Sequence, residues 1–231
     1  MLRQYRNTPI YAKLASVFDR IRNALPDKTA IPPAWLDDRI ILFSEPVTAI
    51  TPQTWETIAN AIRENRQVSI TYPSPSEKTS TQRTIDPYYL VYSKGEWYVT
   101  GHCHRHDAIR TFAVSRITAA SLLNKGFFMP AKWSRQKMFG DELDVHWKDE
   151  FHRVRIRFSP IGARYIHERQ WHPKQMIKSF KNGTAVIEFT TNHLDAVLYW
   201  VRSWGPEATI LGPPILVERM KADIGKMAKL Y

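Results

Sequence analysis

Apolar residues recur every three or four positions from Ile10 to Leu25: Ile10, Leu14, Val17, Phe18, Ile21 and Leu25. That spacing draws one face of an α-helix over residues 8–25. Thr8 can cap it, Pro9 suits the first helical position, and Pro26 stops it. TAIPPAW then reads as a loop and RIILF (39–43) as a short buried strand. Thr51 and Pro52 open a second helix with Trp55, Ile58, Ala59 and Ile62 on its inner face.

At Gln67 the period changes from helical to alternating. QVSITY sends Val68, Ile70 and Tyr72 to one side. PSPSEKTSTQ is a polar turn, and RTIDPYYLVY is the next strand, where Pro87 calls for an edge or a bulge. EWYVTGH and IRTFAV follow after short turns. Four or more short strands joined this tightly predict a small β-barrel or curled sheet. Residues 121–150 show no clear period and read as a connector. Beyond them come FHRVRIRF (strand), PIGARYIHER (helix), and QMIKSF and TAVIEFT (strands) joined at an Asn182-Gly183 hairpin signal. A helix over 192–204, the strand EATIL and a closing helix over 213–230 complete the order βαββαβ, the split, ferredoxin-like pattern. The fold class is therefore α+β, in four stretches: a helical region (1–66), a β-rich domain (67–130), a linker (131–150) and a βαββαβ domain (151–231).

Composition adds direction. The formal charge is +11, weighted toward the C-terminal part, and such a surface attracts polyanions. Cys103 is the single cysteine, which rules out an internal disulfide and fits a reducing cytoplasm. No apolar run is long enough to span a bilayer, and the N-terminus lacks the order of a signal peptide.

The densest chemistry lies in GEWYVTGHCHRHDAIRTFAVSRI, residues 95–117. Strand alternation lets His102 and His104 converge and turns Cys103 toward Trp97 and Val99, which should be core. A structural zinc site needs four ligands, and no second cysteine or close histidine pair completes one, so the sequence assigns neither metal nor cofactor. Cys103 has no marked base, so no catalytic residue is assigned either. A phosphate-binding rim uses more of the residues. Tyr98, His102 and His104 share a face, and Arg110 and Arg116 bracket the next strand with planar forks that match phosphate. The competing reading pairs those arginines with Asp86 or Asp107 and leaves the histidines merely exposed. Phe112 and Val114 share the parity of both arginines, so a bend is implied, or the arginines emerge at the strand ends. Arg153, Arg155 and Arg157 alternate with Val154, Ile156 and Phe158, forming a stripe that is either a solvated face or a track for a nucleic-acid backbone. Trp171, Trp200 and Trp204 read as packing residues.

Trp97-Tyr98-Val99, Arg110-Thr111-Phe112 and Arg116-Ile117 together resemble the signature of the WYL domain, with Val99 where the family has leucine. Upstream, ITYPSP and RTIDPYYLVY match its first strands through Tyr72, Arg83, Pro87 and Leu90. Residues 151–231 resemble the WCX extension, through FSP, ERQWHP, the Asn-Gly hairpin and WVRSWG. The resemblance implies an SH3-like (Sm-like) barrel followed by a ferredoxin-like domain. It also implies a ligand-sensing part of a bacterial transcription regulator, with single-stranded nucleic acid or a nucleotide second messenger as ligand. Its pocket would use Tyr72, Ser74, Arg83, His104, Arg110 and Arg116. Such regulators carry a winged helix-turn-helix ahead of the WYL domain and pair as homodimers. Residues 1–66 show no recognition helix and wing, so duplex DNA would be read only through a missing N-terminal segment. Two other roles stay open: a stand-alone accessory protein modulating a nucleic-acid-processing or CRISPR-type effector, and a nuclease.

Overall fold

The computed structural model describes residues 8–24, 46, 48–73, 80–139 and 150–231. The expected TAIPPAW loop and RIILF strand lie outside the described residues, as does Ser74. The chain divides into two compact units, Met1–Met129 and Pro130–Tyr231.

In the first unit, helix α1 (Ile10–Ala24) begins just after Thr8 and Pro9, with Val17, Phe18 and Ile21 left exposed. Helix α2 (Pro52–Arg63) starts where Thr51 accepts the backbone N–H of Thr54 and Pro52 takes the first turn. Its buried side, Trp55, Ile58 and Ala61, joins the core of an antiparallel sheet. The strands are β1 (Arg66–Pro73), β2 (Ser80–Ser93), β3 (Glu96–Cys103), β4 (Ala108–Ala113) and β5 (Ala119–Gly126), in the order β4-β3-β2-β1-β5. The expected barrel is not closed: β4 and β5 are the two edges. β5 corrects the reading of residues 121–150 as a connector throughout. AASLLNKG does not alternate cleanly, and pairing with β1 makes it a strand.

Pro87 sits in the central strand, so of the two expected alternatives the bulge and not the edge is realised. The ladder accommodates it with a register shift between Pro87 and Tyr89 opposite Gly101. Gly101 is required there, because a Cβ on it would lie 2.0 Å from the Asp86 carbonyl oxygen. The shared parity of Arg110, Phe112, Val114 and Arg116 also resolves. β4 ends at Ala113, and a single 3₁₀ turn, Val114–Arg116, buries Val114 and redirects Arg116. Trp97, Val99 and Cys103 all face the core, as alternation requires.

In the second unit, the short helix α3 (Arg135–Phe139) buries Met138. Then follow β6 (His152–Phe158), α4 (Pro160–His167), β7 (Met176–Ser179), β8 (Ala185–Thr191), α5 (Leu194–Arg202), β9 (Ala208–Gly212) and α6 (Pro214–Met227). The strands pair antiparallel in the order β7-β8-β6-β9. Val154, Ile156 and Phe158 of β6 meet Ala185, Ile187 and Phe189 of β8 and the inner side of α5 in one core. The β7–β8 turn uses Gly183 at φ 81, the left-handed conformation that an Asn-Gly hairpin needs. Trp171, Trp200 and Trp204 pack against this core and against one another, as predicted.

Candidate functional site

The expected pocket residues fall on the two faces of the first sheet. Cross-strand partners in a sheet point the same way, so the register assigns each side chain. Ile70 faces Arg83, Ile85 faces Cys103, Val99 faces Phe112 and Gly101 faces Arg110. Tyr72, Arg83, Phe112 and Arg110 therefore lie on the core face. Asp86 faces His102 and Val91 faces Tyr98, which puts Tyr98 and His102 on the opposite face.

On the core face, Tyr72 is the pivot. It is buried, its hydroxyl accepts the Ala113 backbone N–H at 3.2 Å, and its ring meets Phe112 edge-on at 5.1 Å. Two guanidinium groups lie over it, Arg116 at 4.9 Å and Arg83 at 5.7 Å from the ring centroid. Arg83 lies equally close to Phe112 and donates to the Thr81 hydroxyl at 3.0 Å. Arg116 is held by the Pro73 carbonyl at 2.7 Å. Arg83 is buried, whereas Arg116 is half-buried and spends one donor on the Pro73 carbonyl. Arg110 is exposed one step along β4 from Phe112, and among the described residues it makes no hydrogen bond or ion pair.

The carboxylates that competed for these arginines are engaged elsewhere. Asp86 meets His104 Nε2 at 2.7 Å and Gln67 Nε2 at 2.8 Å, and Asp107 meets His102 Nε2 at 3.0 Å. Asp86 and Gln67 are both buried. This polar cluster was missed from sequence, since only the register brings Asp86 across from His102. Burial and the Asp86 charge together push the Tyr88 phenol above its ordinary range.

In the second unit, Arg153, Arg155 and Arg157 do share the exposed side of β6. Glu188, directly across from Arg155, binds two of them: Arg153 at 2.5 Å and Arg155 at 3.4 Å. Arg157 is exposed beside them. No helix among the described residues is long and apolar enough to cross a membrane.

Two α/β units with antiparallel sheets, the first setting arginines on aromatic rings, define a two-domain α+β protein. The WYL domain family model matches residues 53–122 and the WCX domain model residues 150–228. The chain belongs to the WYL-domain proteins that carry a WCX extension. It is 38% identical over 63 residues to the DNA-binding transcriptional repressor CapW of Escherichia coli, covering 27% of this chain and 21% of that one. It is 37% identical over 187 residues to protein PafB of Mycobacterium tuberculosis, covering 74% of this chain and 53% of that one. Among solved structures, a CRISPR Cas-related protein aligns over 78% of this chain and 51% of its own, with a TM-score of 0.48 and 15% identity. The chain thus spans about half or less of the length of these relatives.

Proposed function

We propose that the chain is the ligand-sensing part of a bacterial, cytoplasmic transcription regulator, and that its ligand is single-stranded nucleic acid or a nucleotide-like anion. The observation that carries this is the pair of guanidiniums stacked on Tyr72, with Arg110 exposed on the same face. Of these, the half-buried Arg116 and the exposed Arg110 can offer a flat surface for a base and a fork for a phosphate, with the buried Arg83 backing the ring. The name of CapW as a DNA-binding transcriptional repressor supports a regulatory setting. Tyr72, Arg83, Arg110 and Arg116 form the proposed contact group, and Ser74 belongs to it by motif. Tyr98, His102 and His104 stand on the other face and would contact only a ligand that wraps the sheet edge. Arg153, Arg155 and Arg157 are a proposed backbone track. The strand order of the second unit supports a ferredoxin-like fold, and the bulged five-stranded sheet supports an SH3-like one open between β4 and β5. The exposed apolar stripe of α1 supports pairing as a homodimer.

A binding screen at fixed salt tests the reading, using labelled single-stranded DNA, single-stranded RNA, duplex DNA and cyclic dinucleotides. One single-stranded or nucleotide ligand should bind well above duplex of equal charge. Equal affinity for all polyanions would reduce the site to general electrostatic attraction.

A further inference from the structure

We propose that Asp86, His102 and His104 form a binding site for a divalent transition-metal cation of the zinc class, separate from the arginine face. An ionised Asp86 stands in a crowded polar contact with His104 and Gln67. Asp86 Oδ1, His104 Nε2 and Gln67 Nε2 form a triangle with sides of 2.7, 2.8 and 2.9 Å. An ionised carboxylate only accepts, and an amide nitrogen only donates. If His104 Nε2 carries the proton, it faces the Gln67 amide hydrogens donor to donor. If it does not, its lone pair faces that of Asp86. Turning the Gln67 amide over sets its oxygen against the carboxylate instead. Asp86 and Gln67 are buried, so solvent reaches this contact only from the His104 side. A cation relieves the crowding. Asp86 Oδ1 and His104 Nε2 then both give lone pairs to the metal, and the Gln67 amide donates to the carboxylate alone.

The third ligand is in place. His102 Nδ1 stands 3.8 Å from Asp86 Oδ2, the two imidazole rings meet edge-on at 4.9 Å, and the three donor atoms lie within 4.8 Å of one another. Bonds of about 2.0–2.2 Å to a common ion set tetrahedral ligands roughly 3.4 Å apart, so the Asp86–His104 pair at 2.7 Å would open and the His102 side would close around the ion. The surroundings match a metal site as well. His102 Nε2 contacts Asp107, so that ring can hand its Nδ1 to the metal while a carboxylate orients it. The His104 backbone N–H is fixed on the Thr84 carbonyl at 3.0 Å. His104 is partly exposed, which leaves an open coordination position toward solvent. Two imidazoles and one carboxylate favour zinc, nickel, copper or iron(II) over magnesium or calcium, which prefer oxygen. From sequence alone, Cys103 counts among the candidate ligands and four protein ligands are required. Cys103 is on the far face, and Asp86 arrives from the neighbouring strand.

Zinc titrated calorimetrically into the metal-free full chain, with no nucleic acid present, tests this. One equivalent should bind, and zinc should raise the melting temperature. His104→Gln, on a partly exposed turn residue, should keep the fold and lose both effects, and Asp86→Asn should lose the binding. Asp107→Asn should weaken binding about tenfold by releasing His102. Cys103→Ala and Arg110→Ala should bind zinc like the parent. Arg110→Ala keeps this test distinct from that of the arginine face. Cobalt substitution should show d–d bands without a thiolate charge-transfer band. Absence of zinc binding in the parent, full binding in His104→Gln, or a thiolate band would overturn the proposal.

Discussion

Each unit carries three candidate arginines, and the two sets are held in different ways. In the first, Arg83 and Arg116 lie against the Tyr72 ring, and Arg116 and Arg110 contact no carboxylate among the described residues. In the second, Arg153 and Arg155 converge on Glu188, and only Arg157 stands apart from it. An aromatic ring orients a guanidinium and leaves its charge available. A carboxylate orients it and cancels the charge locally. If phosphate is the ligand, equal arginine counts should give unequal attraction, with Arg110 and Arg116 of the first unit the better prepared to receive it. The lesson is that a basic stripe in a sequence has to be read together with the residue opposite it in the sheet.

The comparison assumes that the stacked arginines sit on a frame they do not themselves build. Trp97→Ala sets the scale of a frame effect. Trp97 is buried against Trp55, edge-on at 4.9 Å, and against Tyr92. Its truncation should cost about 3–5 kcal/mol in thermal or denaturant unfolding. Arg110→Ala should cost almost nothing by the same measurement. If it unfolds the first unit, these arginines are structural and the contrast with the second unit disappears.

Ligand affinity should separate the sets next. Hydrogen bonds to charged groups are worth about 1.5–3 kcal/mol, so Arg110→Ala should weaken binding roughly ten- to a hundredfold. Arg110→Lys should recover part of it, keeping the charge and losing the fork. Arg157→Ala, in the other unit, should do less. It should lower the salt dependence of single-strand binding by roughly 0.7 in the log–log slope, the share of one phosphate contact. A larger loss from Arg157→Ala than from Arg110→Ala would invert the ranking.

Much of this fold is legible in the sequence because its strands alternate strictly and its helices carry plain start signals. Thr51-Pro52 marks α2, and Val154, Ile156 and Phe158 mark both the core and the arginine face of β6. β5 is hidden because its identity rests on its partner: Ala119–Gly126 has little apolar contrast of its own. Pro87 announces an edge or a bulge, and which of the two holds depends on the partner strand, where Gly101 stands opposite. The site divides in the same way. Parity along β3 correctly groups His102 with His104 and sets Cys103 apart. Parity across strands is invisible until the register is known, and it separates those histidines from Arg110 and pairs them with Asp86.

The smallest expected effect tests the carboxylate side of the comparison directly. Glu188→Gln keeps the shape of the residue opposite Arg155 and removes its charge. Arg153 and Arg155 are more than half exposed, and exposed ion pairs contribute about 0–1 kcal/mol, so stability should hardly change. Their charge, however, is no longer cancelled locally. If the stripe touches a nucleic-acid backbone, Glu188→Gln should tighten single-strand binding at low salt and steepen its salt dependence by up to about one unit of slope. The gain should vanish when Arg153 and Arg155 are also replaced by alanine, which excludes a general effect of net charge. If Glu188→Gln binds like the parent across the salt series, the second stripe is a solvated sheet face, and phosphate recognition belongs to the stacked arginines alone.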